Sequence, residues 1–256
     1  MRNFKPYIEK SILWLLIFLF WYIGTKEAWW SAFIVPPPER VAQSFFTLLS
    51  SGMLWKHIYA SMSRVLAGFS LAFLLAFPLG LLLGTQARLY RIASPVLEFF
   101  RHVPPLAMLP MIILWFGIGE ASKLLIVILA TFFPIFLNTA AGIHQYDPKL
   151  EEAAVVFGLP ARARFIRLRL PQAFPYIWVG IRLGLGYSWR SLIGAEMIAA
   201  ASGIGYMILD GEQMARPDIV ILGILVIGAA GILIDALLCW GSCRWLPYTR
   251  KGNPHA

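Results

Sequence analysis

Six ionisable side chains stand inside long apolar stretches of the chain: Glu98, Arg101, Arg182, Arg190, Glu196 and Asp235. A charge held in a bilayer is costly, so each is a candidate for work: carrying a proton, meeting an ion or neutralising a neighbour. Glu98 and Arg101 are three positions apart and can pair on one helix face. Arg182 and Glu196 lie roughly 21 Å apart along a helix, and Arg190 and Glu196 about 9 Å apart on different faces, so neither couple pairs directly. Arg101 and Arg182 also suit snorkelling or helix-packing hydrogen bonds, and Asp235 suits a structural pair. A proton carried on Glu196 or Asp235 would serve a standalone proton-coupled secondary transporter. Arginines facing a wet path would instead serve an anion, and on that reading Arg101, Arg190 and Glu196 line a translocation path.

Other chemistries lack their parts. His57, His102, His144 and His255 show no ligand spacing. Cys239 and Cys243, one helical turn apart, suit neither a structural disulfide nor a zinc site and read as buried bystanders. There is no G-x-x-x-x-G-K-[ST] phosphate loop, no H-E-x-x-H and no G-x-S-x-G. No catalytic residue, metal site or bound cofactor is expected in this chain.

The elements that must position these charges are helices in lipid. Of 256 residues, 59% are apolar and 14% charged, against about 25% charged in a soluble domain. Spans of about 20 residues fit five to seven times into that length. Six are expected, over residues 11–30, 65–87, 94–117, 124–143, 172–199 and 219–239, an all-α polytopic membrane protein in one transmembrane domain. The third is interrupted by Pro104-Pro105 and Pro110, residues 39–50 form a surface amphipathic helix, and 200–217 is a Gly-rich connection. The net charge of +9 is scattered between apolar blocks, which speaks for membrane orientation and against nucleic acid. Arg2, Lys5 and Lys10, then Arg88 and Arg91, then Lys149, Arg162, Arg164, Arg167 and Arg169, then Arg244, Arg250 and Lys251 all fall on one face under this topology. That face is cytoplasmic by the positive-inside rule, with both termini on it.

One cytoplasmic stretch is built with care. Asp147-Pro148 caps and opens a helix, Glu151 and Glu152 sit near its positive dipole end, and Leu150, Ala153, Ala154 and Phe157 recur as one apolar stripe. Gly158 stops it and Pro160 opens a second short helix. Such a helix–Gly–helix suits either docking into a partner's groove or lying on anionic lipid.

Glu152-Ala153-Ala154, Gly158, Leu168 and Leu170-Pro171, at their spacing, resemble the EAA loop of ABC importer permeases, with Leu168 where the family prefers Ile. Arg101–Ala107, Leu114–Gly119 and Ser202–Tyr206 resemble the branch serving sulfonates, taurine and nitrate. The resemblance implies a type I ABC importer permease fold in a bacterial inner membrane, with a core of about 60–245 and a coupling loop over 147–171. It implies that Glu151, Glu152, Ala153, Ala154, Gly158, Leu168 and Pro171 couple the chain to an ATPase. It further implies two separate ATPase subunits that bind ATP and Mg, a periplasmic or lipoprotein substrate-binding protein, a second copy of this chain, and a small anion as cargo, foremost an aliphatic sulfonate, with taurine, nitrate and bicarbonate as alternatives.

Overall fold

The computed structural model describes residues 5–245, and side chains from 12 to 241. The eleven helices among them are α1 (Lys5–Lys26), α2 (Pro38–Ser50), α3 (Met53–Thr85), α4 (Ala87–His102), α5 (Leu109–Phe116), α6 (Glu120–His144), α7 (Pro148–Val156), α8 (Ala161–Arg164), α9 (Leu170–Ala199), α10 (Ile204–Gln213) and α11 (Pro217–Trp245). No strand occurs among the described residues. α3, α6 and α11 are each long and apolar enough to cross a membrane, and the bent pairs α4–α5 and α9–α10 raise the number to five. α1, apolar from Ile12, occupies the place of the first expected span and exposes residues 12–20 on every side. The terminal lysines and arginines used for orientation lie outside the described side chains.

The core is a three-helix sandwich in which α6 packs between α3 and α9. Small residues let the backbones close. A Cβ on Gly80 of α3 would meet Thr139 at 2.7 Å, and one on Gly180 of α9 would meet Asn138 at 2.9 Å and the Pro134 carbonyl at 3.0 Å. Packing of this kind drives helix association where lipid offers no hydrophobic gain. Toward the α10 end, Leu54, Val65, Val127, Trp189, Leu192, Ile204 and Met207 form one buried cluster with Ile219 of α11.

Several boundaries differ from the sequence reading. α3 begins at Met53 rather than near residue 65, because His57 and Arg64 are absorbed by polar partners and Lys56 stays exposed, so none of them ends the helix. The third span breaks by 83° between α4 and α5. Val103 and Pro104 are extended there, and a single 3₁₀ turn, Pro105–Met108, follows. Pro110 causes no break, since it sits in the first turn of α5, where its missing N–H is no loss. Residues 200–217 hold α10 instead of an open connection. The helix begun at Pro160 does not end: α8 runs through a π-helical turn, Phe165–Arg169, directly into α9. Pro171 cannot donate to the ladder, and the wider i→i+5 turn, closed by Leu170 N–H to Phe165 O, carries the helix up to it. Cys239 is exposed on α11 rather than buried, and Cys243 lies outside the described side chains.

Candidate functional site

The loop between α6 and α9 is tied shut by its own residues. The Asp147 carboxylate accepts from Lys149 N–H at 2.9 Å, capping α7, and Asp147 N–H donates to Gln172 Oε1 at 3.1 Å, fixing the loop to the foot of α9. At the other end of α7, Gly158 adopts φ +72°, with Gly158 N–H on Val155 O (2.9 Å) and Leu159 N–H on Ala154 O (3.0 Å). This paired closure is the Schellman arrangement, and its left-handed residue is the reason for glycine. Glu151 then crosses the V. It meets Arg164 at 3.2 Å and Arg169 at 3.1 Å, while the Arg169 guanidinium stacks on Tyr146 at 4.1 Å. The two arms therefore hold a fixed angle.

What this brace presents outward is apolar. Ala154 turns into the brace at 6% exposure. Leu150, Ala153 and Phe157 stay outside, joined by Val155 and Val156, with Val156 at 84% and Phe157 at 81%. The expected stripe is thus displaced toward Val156, and Glu152 is exposed beside it. A rigid, solvent-facing helix tip with bare Val and Phe is a docking surface in want of a groove. Leu168 and Pro171, half-buried and exposed in turn, lie on the continuous arm that joins this tip to α9.

The second constellation lies at the other end of the sandwich. Glu196 is fully buried. Its carboxylate accepts from Arg64 Nη1 (2.7 Å), from Ser61 Oγ (2.8 Å) and from Gly205 N–H (3.0 Å). Arg64 also holds Glu120 at the head of α6 by two bonds, of 2.7 and 2.8 Å, and donates to the Ser202 carbonyl at 2.6 Å. Glu120 in turn holds Lys123 at 2.7 Å. Three of the four free N–H groups opening α10 are taken: Gly203 by His57 Nδ1 (3.1 Å), Ile204 by Ser61 Oγ (2.8 Å), and Gly205 by Glu196. Gly203, at φ +122°, lies against the Glu196 carboxyl so closely that a Cβ has no room. This staple fastens α3, α6, α9 and α10 together. His57, Ser61 and Arg64 recur at i, i+4 and i+7, a polar stripe on an apolar helix that was the available signal for it.

The remaining intramembrane charges separate cleanly. Arg182 and Asp235 form a two-bond pair, at 2.6 and 2.7 Å, between α9 and α11. Glu98 and Arg101 do not pair among the described residues, and Arg101 and Arg190 are both exposed. Glu196 has no exposed surface of its own, and with Asp235 held by Arg182, neither carboxylate stands as a free proton carrier.

An all-helical bundle with up to five apolar spans and a braced, apolar-tipped loop defines a polytopic membrane protein. Residues 76–240 match the family described as binding-protein-dependent transport system inner membrane component, and the chain belongs to it. It is 39% identical over 234 residues (90% of this chain, 89% of the relative) to an Escherichia coli K12 protein named as an aliphatic sulfonates transport permease, SsuC. It is 34% identical to the taurine transport system permease protein TauC of the same organism, over 86% of this chain and 82% of that one. Against the bicarbonate transport system permease protein CmpB of Synechococcus elongatus it is 32% identical, over 77% and 71%. The fold matches a chain of the MetNI methionine ABC transporter in an inward-facing conformation, with TM-score 0.58 at 16% identity, covering 73% of this chain and 94% of that one. The chain is thus an ABC importer permease, a non-enzymatic multi-pass membrane subunit, and not a standalone secondary transporter.

Proposed function

We propose that this permease passes a small oxyanion, foremost an aliphatic sulfonate, through a dimer of two copies driven by two ATPase subunits. Taurine, nitrate and bicarbonate are the neighbouring cargoes on this reading. ATP and Mg are held by the ATPases, and a periplasmic or membrane-anchored binding protein delivers the anion. The 147–171 loop faces the cytoplasm of a bacterial inner membrane, as do both termini. Glu152, Ala153, Val156 and Phe157 seat in a groove of the ATPase, while Ala154 packs inside the brace and Glu151 and Gly158 keep the arms stiff. Leu168 and Pro171 belong to the arm that passes the motion to α9. Arg101 and Arg190 face the anion's path, while Glu196 serves that path by holding its outer walls.

The observation that carries this reading is the braced V: an apolar tip continuous, through α8 and the π turn, with a helix that crosses the bundle. A push on Phe157 reaches α9 as a rigid-body displacement because Glu151 ties α7 to Arg164 and Arg169 across the Gly158 turn. The test is uptake of labelled ethanesulfonate by liposomes holding the assembled complex, with ATP inside and binding protein outside. Phe157→Ala with Val156→Ala is expected to release the ATPase on co-purification and abolish uptake. An intact complex with full uptake would refute the docking role.

A further inference from the structure

The bundle pairs its buried and intramembrane cations consistently: Arg64 with Glu120 and Glu196, Lys123 with Glu120, Arg182 with Asp235. Arg101 and Arg190 break that pattern. Among the described residues neither makes a hydrogen bond or an ion pair. Arg101 borders a groove of about 430 Å³ between the α4–α5 break, α6 and α9. Leu129 and Phe133 form one wall, Tyr187 and Ser191 the other, and no carboxylate lines it. Arg190 is not on that lining, but it stands on the same side of α9. At about 100° per residue, Leu183, Tyr187, Arg190 and Gly194 fall within roughly 60° of one another. Gly194 on that side meets Leu106 of the 3₁₀ turn, so this side of α9 faces the break.

Depth decides what the groove can hold. Phe133 is about 20 Å from the Glu120 end of α6 and about 17 Å from the His144 end, close to mid-membrane. Lipid headgroups lie about 15 Å or more from that plane. Arg101 lines the groove at that level, where an unpaired guanidinium requires a wet cavity or a counter-charge; Arg190, six residues or about 9 Å beyond the level of Gly184, stands nearer the α10 end of the same side. Broken spans at the midplane are where transporters place their substrate sites.

We propose that this groove is the permease's own anion site, taking one sulfonate group. Arg101 and Arg190 supply charge, Tyr187 and Ser191 hydroxyls donate to the remaining oxygens, and the short alkyl tail lies on Leu129 and Phe133. This rests on the anion-importer reading above and adds where within the membrane the cargo pauses.

The test uses the full complex in liposomes, with a cysteine at Ser191. Ethanesulfonate is expected to slow labelling of that cysteine by a small thiosulfonate reagent, and to do so about tenfold less well when Arg101→Gln is added, since a charged hydrogen bond is lost. Arg101→Lys is expected to restore part of the protection. In the Ser191 parent, Arg101→Gln and Arg190→Gln are each expected to lower ethanesulfonate uptake about tenfold with the ATPase still co-purifying. Equal protection and equal uptake with or without Arg101 would overturn the site. Labelling that follows the phosphatidylglycerol content of the liposomes and ignores ethanesulfonate would assign the groove to lipid phosphate and also overturn it. If the unsubstituted complex moves no sulfonate at all, the cargo reading has failed, an outcome separate from loss caused by Arg101→Gln alone.

Discussion

Glu196→Met tests the staple at the α10 end of the bundle. The substitution keeps the bulk of the side chain and removes the acceptor for Arg64, Ser61 and Gly205 N–H together. Removing one partner of a buried ion pair costs about 3–5 kcal/mol. Arg64 keeps Glu120, which is largely exposed and so a weaker partner, and keeps the Ser202 carbonyl, which places the loss near the lower end. The orphaned Gly205 N–H adds about 1 kcal/mol or more. The sum is about 4 kcal/mol. At about 2–4 °C per kcal/mol for a chain of this size, the apparent melting midpoint in detergent should fall by about 8–16 °C. The second arm is a double-mutant cycle. Arg64→Met alone strands Glu196, whereas Arg64→Met with Glu196→Met leaves no stranded charge between those two, so the double variant should be more stable than the sum of the singles by about 2 kcal/mol or more. A Glu196→Met midpoint within about 2 °C of the parent, or strict additivity in the cycle, would refute the staple.

Gly203→Ala should destabilise the protein by more than Gly117→Ala, because both positions have positive φ but only at Gly203 does a Cβ strike the Glu196 carboxyl; thermal midpoints of the two variants check it. Gly158→Val should insert normally yet lose ATPase on co-purification, since a β-branched residue at φ +72° costs about 1–2 kcal/mol or more and unseats the Schellman closure. Glu151→Gln should weaken coupling more mildly, seen as lower uptake per ATP hydrolysed, because Arg164 and Arg169 lose their shared anion. A cysteine at Gly158 should react with an impermeant maleimide in inside-out vesicles and not in intact spheroplasts. The reverse pattern would invert the proposed topology.

The loop was legible in the sequence because its signals are local. Asp147-Pro148 and Gly158 follow capping rules that act over a few residues, and the structure places cap and left-handed turn at those positions. The brace was not legible, because Glu151 finds Arg164 and Arg169 across a turn whose angle no periodicity reports. The same holds for Glu196. Its partner Arg64 is 132 positions away and lies in a stretch read as outside the span, so Glu196 looked like a path residue when it is a sealed one. α10 was missed because Gly203, Gly205 and Gly211 read as loop. Gly205 and Gly211 are instead close approaches: a Cβ on Gly205 would strike the Ile193 carbonyl, and one on Gly211 would meet Ile219 at 3.0 Å. Glycine as punctuation and glycine as packing surface look alike in one sequence. The unpaired state of Arg101 and Arg190 could be recognised only after the other intramembrane cations, Arg64, Lys123 and Arg182, had been matched to their partners.

The central claim is that ATP bound elsewhere drives an anion through this chain by way of the 147–171 loop. The direct measurement is ethanesulfonate accumulation in liposomes containing the permease, with and without the ATPase subunits, under either internal ATP or an imposed proton gradient. The account predicts accumulation only with ATPase, ATP and binding protein together, abolished by Gly158→Val and indifferent to the proton gradient. Accumulation driven by the proton gradient in liposomes that lack the ATPase would contradict it.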